Sequence, residues 1–148
     1  MQKLFKYSYK AEIEIEAKPE AIWKALKDLQ SYHLWNPFTP KIETDWKLGS
    51  KVLLTVNMKK GSKAIIQTEY LTRLDPPYEF AWGMNWGFLL KAERVQKLVR
   101  SSDGKTKYFT EDIIHGLLSP IVHLIYGKSI QNGFEQVADS LKKYVERD

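Results

Sequence analysis

Residues 119–145 read SPIVHLIYGKSIQNGFEQVADSLKKYV, and Ile130, Phe134, Val137, Leu141 and Val145 recur in this stretch at steps of four, three, four and four. That spacing keeps one side of an α-helix apolar over many turns. Ser119-Pro120 suits its start, because proline fits the first helical turn, where an N–H has no partner inside the helix. Lys128, Gln131, Glu135, Asp139, Lys142 and Lys143 fall on the opposite side. A long helix with one apolar stripe must lie on a second layer, and the rest of the chain decides what that layer is.

Working back from Gly116, turn signals at Leu48-Gly49-Ser50, Lys60-Gly61-Ser62, Asp75-Pro76-Pro77 and Ser101-Ser102-Asp103-Gly104 divide six strand-like runs. These are residues 42–46, 51–58, 64–74, 79–84, 89–100 and 106–114, with Asp103-Gly104 the strongest hairpin signal. Connections this short make neighbours antiparallel. Gly83-Met84-Asn85-Trp86-Gly87 breaks the pattern as a bulge or loop. At the other end, residues 4–16 alternate, with Ile13 and Ile15 set against Glu12, Glu14 and Glu16, which is a half-buried strand. Lys18-Pro19-Glu20 then opens a short amphipathic helix through Ala21, Ile22, Ala25, Leu26 and Leu29. Two prolines in Ser31-Tyr32-His33-Leu34-Trp35-Asn36-Pro37-Phe38-Thr39-Pro40 forbid a long helix and predict an irregular turn or short helix at a site. The expected fold is α+β: a curved seven-stranded antiparallel sheet around the long C-terminal helix, with two short helices after strand one.

The chain has 148 residues, 43% hydrophobic and 28% charged, the size and balance of one domain spanning residues 1–148. No run approaches the roughly 20 apolar residues of a spanning helix, which leads us to expect a cytoplasmic protein without stable membrane insertion. With no cysteine, disulfide scaffolds, thiolate zinc sites and cysteine nucleophiles are excluded. His33, His115 and His123 lack metal-ligand spacing, and the GxSxG, GxxxxGK[ST] and GxGxxG patterns are missing, so neither a metal nor a nucleotide cofactor is expected. The net charge of +5 is concentrated in residues 51–100, which hold nine basic and four acidic residues, with Lys59, Lys60 and Lys63 around Gly61. That tip reads as a solvated hairpin, and no nucleic acid partner is expected. Aromatic residues make up 13% of the chain, enough to fill a core or line a cavity.

Several segments together resemble the START-like helix-grip superfamily, SRPBCC, in the branch similar to polyketide cyclase/dehydrase proteins. They are Ala17-Lys18-Pro19-Glu20-Ala21-Ile22-Trp23, Trp35-Asn36-Pro37-Phe38, Leu74-Asp75-Pro76-Pro77 with Phe80-Ala81-Trp82, and Glu111, Ile113 and Gly116-Leu117-Leu118. The resemblance covers nearly the whole chain. It implies a cavity between sheet and helix in which members hold lipids, sterols, polyketides or plant hormones, and in which some catalyse cyclisation or hydration. On strand six the branch carries a His followed two residues later by an aromatic, where this chain has Arg94 and Gln96. If these face inward, the cavity is more cationic than usual.

Glu111 is the first candidate for chemistry, because Phe109, Glu111, Ile113 and His115 share one strand face. In an apolar setting it becomes a general acid or base, with Arg94 on a neighbouring strand stabilising an oxyanion; beside Arg94 it equally serves as a structural pair. The opposite register, with Tyr108, Thr110, Asp112 and Ile114 inward, stays open, as do the facings of Arg94, Gln96, Gln67, Glu69 and Arg73. Trp35, Asn36, Phe38, Trp82, Trp86, Gln96, Ile130 and Phe134 complete the expected ligand-binding set, with core packing the competing role for Trp82 and turn formation for Asn36. The expected function is binding of a hydrophobic or amphipathic small molecule by a monomer or weak homodimer. The alternative is a cyclase or dehydratase acting through Glu111.

Overall fold

The structure is a computed structural model describing residues 5–147. Seven strands form one antiparallel sheet in the order β1-β7-β6-β5-β4-β3-β2. They are β1 (Lys6–Ile15), β2 (Lys41–Thr44), β3 (Lys51–Val56), β4 (Ile65–Asp75), β5 (Glu79–Asn85), β6 (Lys91–Ser102) and β7 (Lys105–His115). Helix α1 (Pro19–Lys27) and a short 3-10 helix (Leu29–Leu34) follow β1, and α2 (Ser119–Glu146) closes the chain. Each expected strand is present to within a few residues; Leu4, placed in the first strand from sequence, lies outside the described residues. The run 42–46 ends earlier than expected, because Trp46 adopts a positive φ of 56° that turns the chain toward β3.

Helix α2 lies along the β1 side of the sheet. Its buried residues Ile130, Phe134, Val137, Ala138 and Leu141 form the stripe that the spacing requires, together with Gly127 and Gly133. At Gly133 the helix meets the ring of Phe38 so closely that an added Cβ would sit 2.3 Å from Cδ1. The glycine therefore sets the distance between α2 and the Pro37-Phe38 turn. The core lies between α2 and the concave sheet face, where Ile15, Val52, Leu54, Leu71, Phe80, Trp82, Leu98, Tyr108 and Ile114 are buried. Trp23, Trp46, Phe80 and Trp82 pack together with ring centroids 5.2–6.5 Å apart.

The register of β7 decides which side chains meet the helix. Thr106, Tyr108, Thr110 and Ile114 are buried on the concave face. Phe109, Glu111, Ile113 and His115 consequently project from the convex face, the reverse of the expected orientation. The physical reason is the pairing of Tyr108 with Ile13 and of Ile114 with Tyr7, which continues the apolar face of β1 across β7 over the core.

Candidate functional site

The concave face carries polar residues in its middle. Arg94 on β6 pairs with Asp112 on β7 and with Trp82 on β5, and Gln96 pairs with Thr110 and Phe80. Arg94 is 7% exposed. Its Nε donates to Thr110 Oγ1 at 2.9 Å, and its guanidinium lies 4.2 Å from the Phe134 ring centroid, a cation–π contact in desolvated surroundings. Gln96 accepts a hydrogen bond from the Tyr108 hydroxyl. Arg94 Nη2 and Asp112 Oδ1 are each buried without a hydrogen-bond partner among the described residues. Such atoms are costly in a folded interior unless a further group satisfies them.

Three acidic groups respond to this environment. Burial pushes the Asp112 carboxyl up to about 6, while Arg94 holds it down. Glu69, half-buried on β4, is pushed up to about 8 by burial and by Asp112, again opposed by Arg94. Tyr9 on β1 is raised to about 12 by burial and then by Asp112. Its hydroxyl meets His123 Nδ1 of α2 at 2.7 Å. Arg94, Asp112 and Glu69 thus form one electrostatic group spread over β4, β6 and β7. At neutral pH the Glu69 carboxyl carries its proton and can donate a hydrogen bond.

Two spaces flank this group. Leu26, Tyr32, Trp35, Asn36, Ile42, Trp82, Arg94, Gln96 and Val137 surround narrow gaps with no room for a water molecule. A larger cleft of about 620 Å³ opens between the Pro37-Phe38 turn, residues 57–62 of the β3–β4 hairpin, and Ser129, Asn132, Gly133 and Gln136 of α2. Phe38 stands between the two, its ring meeting Phe134 edge-on at 6.0 Å. The turn is pinned from both sides. Asn36 Oδ1 accepts the N–H groups of Phe38 and Thr39, and the carbonyls of Pro37 and Phe38 accept from the Asn57 side chain and backbone.

The residues expected from sequence divide accordingly. Arg94, Gln96, Trp82, Trp35, Asn36, Phe38, Ile130 and Phe134 are all buried between sheet and helix. Trp35 packs on Tyr32 and Tyr144, and Asn36 organises its own turn. Glu111 pairs with Lys10 and Val95 on the convex side, away from Arg94's guanidinium, and Phe109, Ile113 and His115 lie there with it. Trp86 is 61% exposed at the tip of the β5–β6 loop, because the hydrogen bond from its N–H to the Leu90 carbonyl closes a turn beyond the sheet. Sequence reasoning gave no role to Asp112 beyond the open register, and it left Glu69 unassigned. The signal that finds both is cross-strand pairing with buried apolar residues, Tyr9 opposite Asp112 and Val52 opposite Glu69. Among the described residues no cluster of three or more His, Cys, Asp or Glu is placed to hold a metal ion.

Solved structures share this arrangement. The Zhui aromatase/cyclase of Streptomyces sp. R1128 superposes with a TM-score of 0.77 at 14% identity, over 96% of this chain and 94% of that one. The di-domain aromatase/cyclase BexL of the BE-7585A biosynthetic pathway gives 0.76 at 9% identity and 98% coverage, and this chain spans 52% of its length. A START superfamily protein of Mycobacterium smegmatis gives 0.68 at 17% identity, over 94% and 97% of the two chains. At these identities the likeness is one of fold. No curated protein matches the sequence significantly. The family described as "Polyketide cyclase / dehydrase and lipid transport" matches residues 6–146, so this chain, with its helix-grip fold, belongs to that family.

Proposed function

We propose that the chain binds an amphipathic small molecule, with the apolar body in the cleft beside Phe38 and a hydroxyl or carbonyl group reaching Arg94 and Asp112. The observation that carries this reading is the pair of buried, unsatisfied atoms Arg94 Nη2 and Asp112 Oδ1 on facing strands. A ligand hydroxyl satisfies both at once, accepting from the guanidinium and donating to the carboxylate. The route from cleft to Arg94 passes Phe38 and then Phe134, so binding requires the Phe38 ring to swing aside. Pro37, Phe38 and Met58 supply the apolar part of the cleft wall, and Phe134 behind Phe38 adds rigid aromatic surface that loses little entropy on contact. Titration of the protein with hydroxylated polycyclic aromatics and with long-chain fatty acids, followed by tryptophan fluorescence, tests this. Arg94→Met is expected to weaken binding at least tenfold and Glu111→Gln to leave it unchanged. Failure of both compound classes to bind, or wild-type affinity in Arg94→Met, would overturn it.

A cyclase or dehydratase reading has one observation in its favour: Glu69 and Asp112 are two carboxyls of one interior group held at different protonation levels, about 8 and about 6. That separation suits a general acid beside a general base. Turnover of a bound polyketide-like substrate that is lost in both Glu69→Gln and Asp112→Asn, with binding retained, distinguishes this reading from binding alone.

A further inference from the structure

One end of the molecule combines exposed apolar side chains with lysines and carries no acid among the described residues. Lys6, His115, Lys91 and Asn85 pair in a row across β1, β7, β6 and β5, marking that end of the sheet. Beyond the row, the β5–β6 tip meets the start of α2: the N–H groups of Leu117 and Leu118 donate to the carbonyls of Phe88 and Leu89. Gly116 allows this contact, since a Cβ there would sit 2.7 Å from the Leu89 carbonyl oxygen. The junction brings together Trp86, Phe88, Leu117, Ile121 and Leu124, all exposed, with Phe88 at 78% and Leu124 at 85%. Because β4 pairs with β5 through Tyr70 and Gly83, the β3–β4 hairpin projects past the same end and sets Lys59, Lys60 and Lys63 there. Residues 57–68, 84–92 and 113–134 contain no Asp or Glu, whereas Asp45, Asp75 and Asp103 lie in turns at the opposite end.

The geometry points to this end as a docking face for an anionic lipid surface. An apolar tip at the same end as these lysines, with no acid there among the described residues, matches the membrane interface, where tryptophan and aliphatic side chains enter the headgroup boundary and lysines meet lipid phosphates. The aliphatic members favour lipid over nucleic acid, for Leu117, Ile121 and Leu124 offer nothing to a phosphate or a stacked base. No helix among the described residues is long and apolar enough to cross a membrane, so the contact is peripheral. The cleft lined by Lys59 and Lys60 faces the same end, which places its mouth near the lipid. The face stands independently of whether the interior binds a ligand.

Sedimentation of the full chain with vesicles of phosphatidylcholine alone, and of phosphatidylcholine mixed with phosphatidylglycerol, tests the inference. The mixed vesicles are expected to pellet the protein at low salt and the neutral ones far less. Trp86 is the exposed one of the five tryptophans, so docking shifts fluorescence to the blue and Trp86→Phe removes the shift. Lys59→Gln with Lys60→Gln is expected to weaken association about fivefold per charge. Phe88→Asp with Leu124→Asp is expected to weaken it at least tenfold while leaving thermal unfolding unchanged, since both side chains are exposed. No pelleting with mixed vesicles, or pelleting that survives the two aspartates, overturns the inference. So does a light-scattering mass that doubles with concentration and reverts to the monomer in the aspartate variant, which makes the face a contact between two copies of the chain.

Discussion

Arg94 and Asp112 stand directly opposite each other on β6 and β7, yet Arg94 Nη2 and Asp112 Oδ1 each remain buried without a hydrogen-bond partner among the described residues. The guanidinium spends its Nε on Thr110 and its face on Phe134 instead. Attraction between the two charges therefore offsets only part of their desolvation, and the carboxyl stays raised.

Stability should consequently fall as pH rises through the mildly acidic range. Glu69 and Asp112 have folded-state values above their unfolded ones, about 8 against 4.5 and about 6 against 3.8. Between those limits the unfolded chain releases protons that the folded chain keeps, which favours unfolding. The loss begins near the unfolded values and is complete above about pH 8. Thermal unfolding from pH 4.5 to 8 checks this. Glu69→Gln should flatten the part above pH 6, and either Glu69→Gln or Asp112→Asn should roughly halve the slope below it, where both groups contribute.

The Arg94 and Asp112 side chains should couple. Arg94→Met leaves a buried carboxylate without its counter-charge and is expected to cost about 3 kcal/mol at neutral pH. Asp112→Leu alone strands the guanidinium in the same way. Together they place apolar groups over Phe134 and Trp82, and the loss should be well below the sum of the single changes. A double-mutant cycle in urea measures the coupling; additive losses would mean that the two charges do not sense each other.

Neighbouring residues on β7 should behave in opposite ways. Glu111→Gln changes a side chain on the convex face and should alter stability by less than about 0.5 kcal/mol. Asp112→Asn, one position along, should reshape the dependence of stability on pH. A larger effect from Glu111→Gln than from Asp112→Asn would place the strand in the other register.

Much of the fold is legible in the sequence because its signals are periodic and local. The stripe from Ile130 to Val145 and the turn at Asp103-Gly104 fix elements without reference to anything distant. The facing of β7 is not local. Phe109 and Ile113 are as apolar as Tyr108 and Ile114, so alternation balances, and the choice rests on pairing with Ile13 and Tyr7 far along the chain. Phe134 is identifiable from the helix stripe and Arg94 and Gln96 from their place in the family resemblance, with their facing open, whereas Asp112 and Glu69 become visible only once the register is known. Trp86 misleads for another reason: a large aromatic in a glycine-rich turn suits a cavity wall and an exposed tip equally well, and only the chain path from Asn85 to Leu90 separates them.

Gly133 and Phe38 should prove inseparable. A Cβ at position 133 would fall 2.3–2.5 Å from three atoms of the Phe38 ring, well inside contact distance. Asn36 and Asn57 hold its turn and Phe134 packs edge-on against it, so a ring displaced by a Cβ gives up packing that only a bound ligand could replace. Gly133→Ala is expected to destabilise the protein by about 1–3 kcal/mol through overpacking, despite alanine's better helix propensity. With Phe38→Ala already present the clash disappears, and Gly133→Ala should then be neutral or stabilising. Urea unfolding of the four chains measures the reversal of sign. The same penalty in both backgrounds would show that Phe38 does not seat against Gly133, and that the spacing between α2 and the turn is set elsewhere.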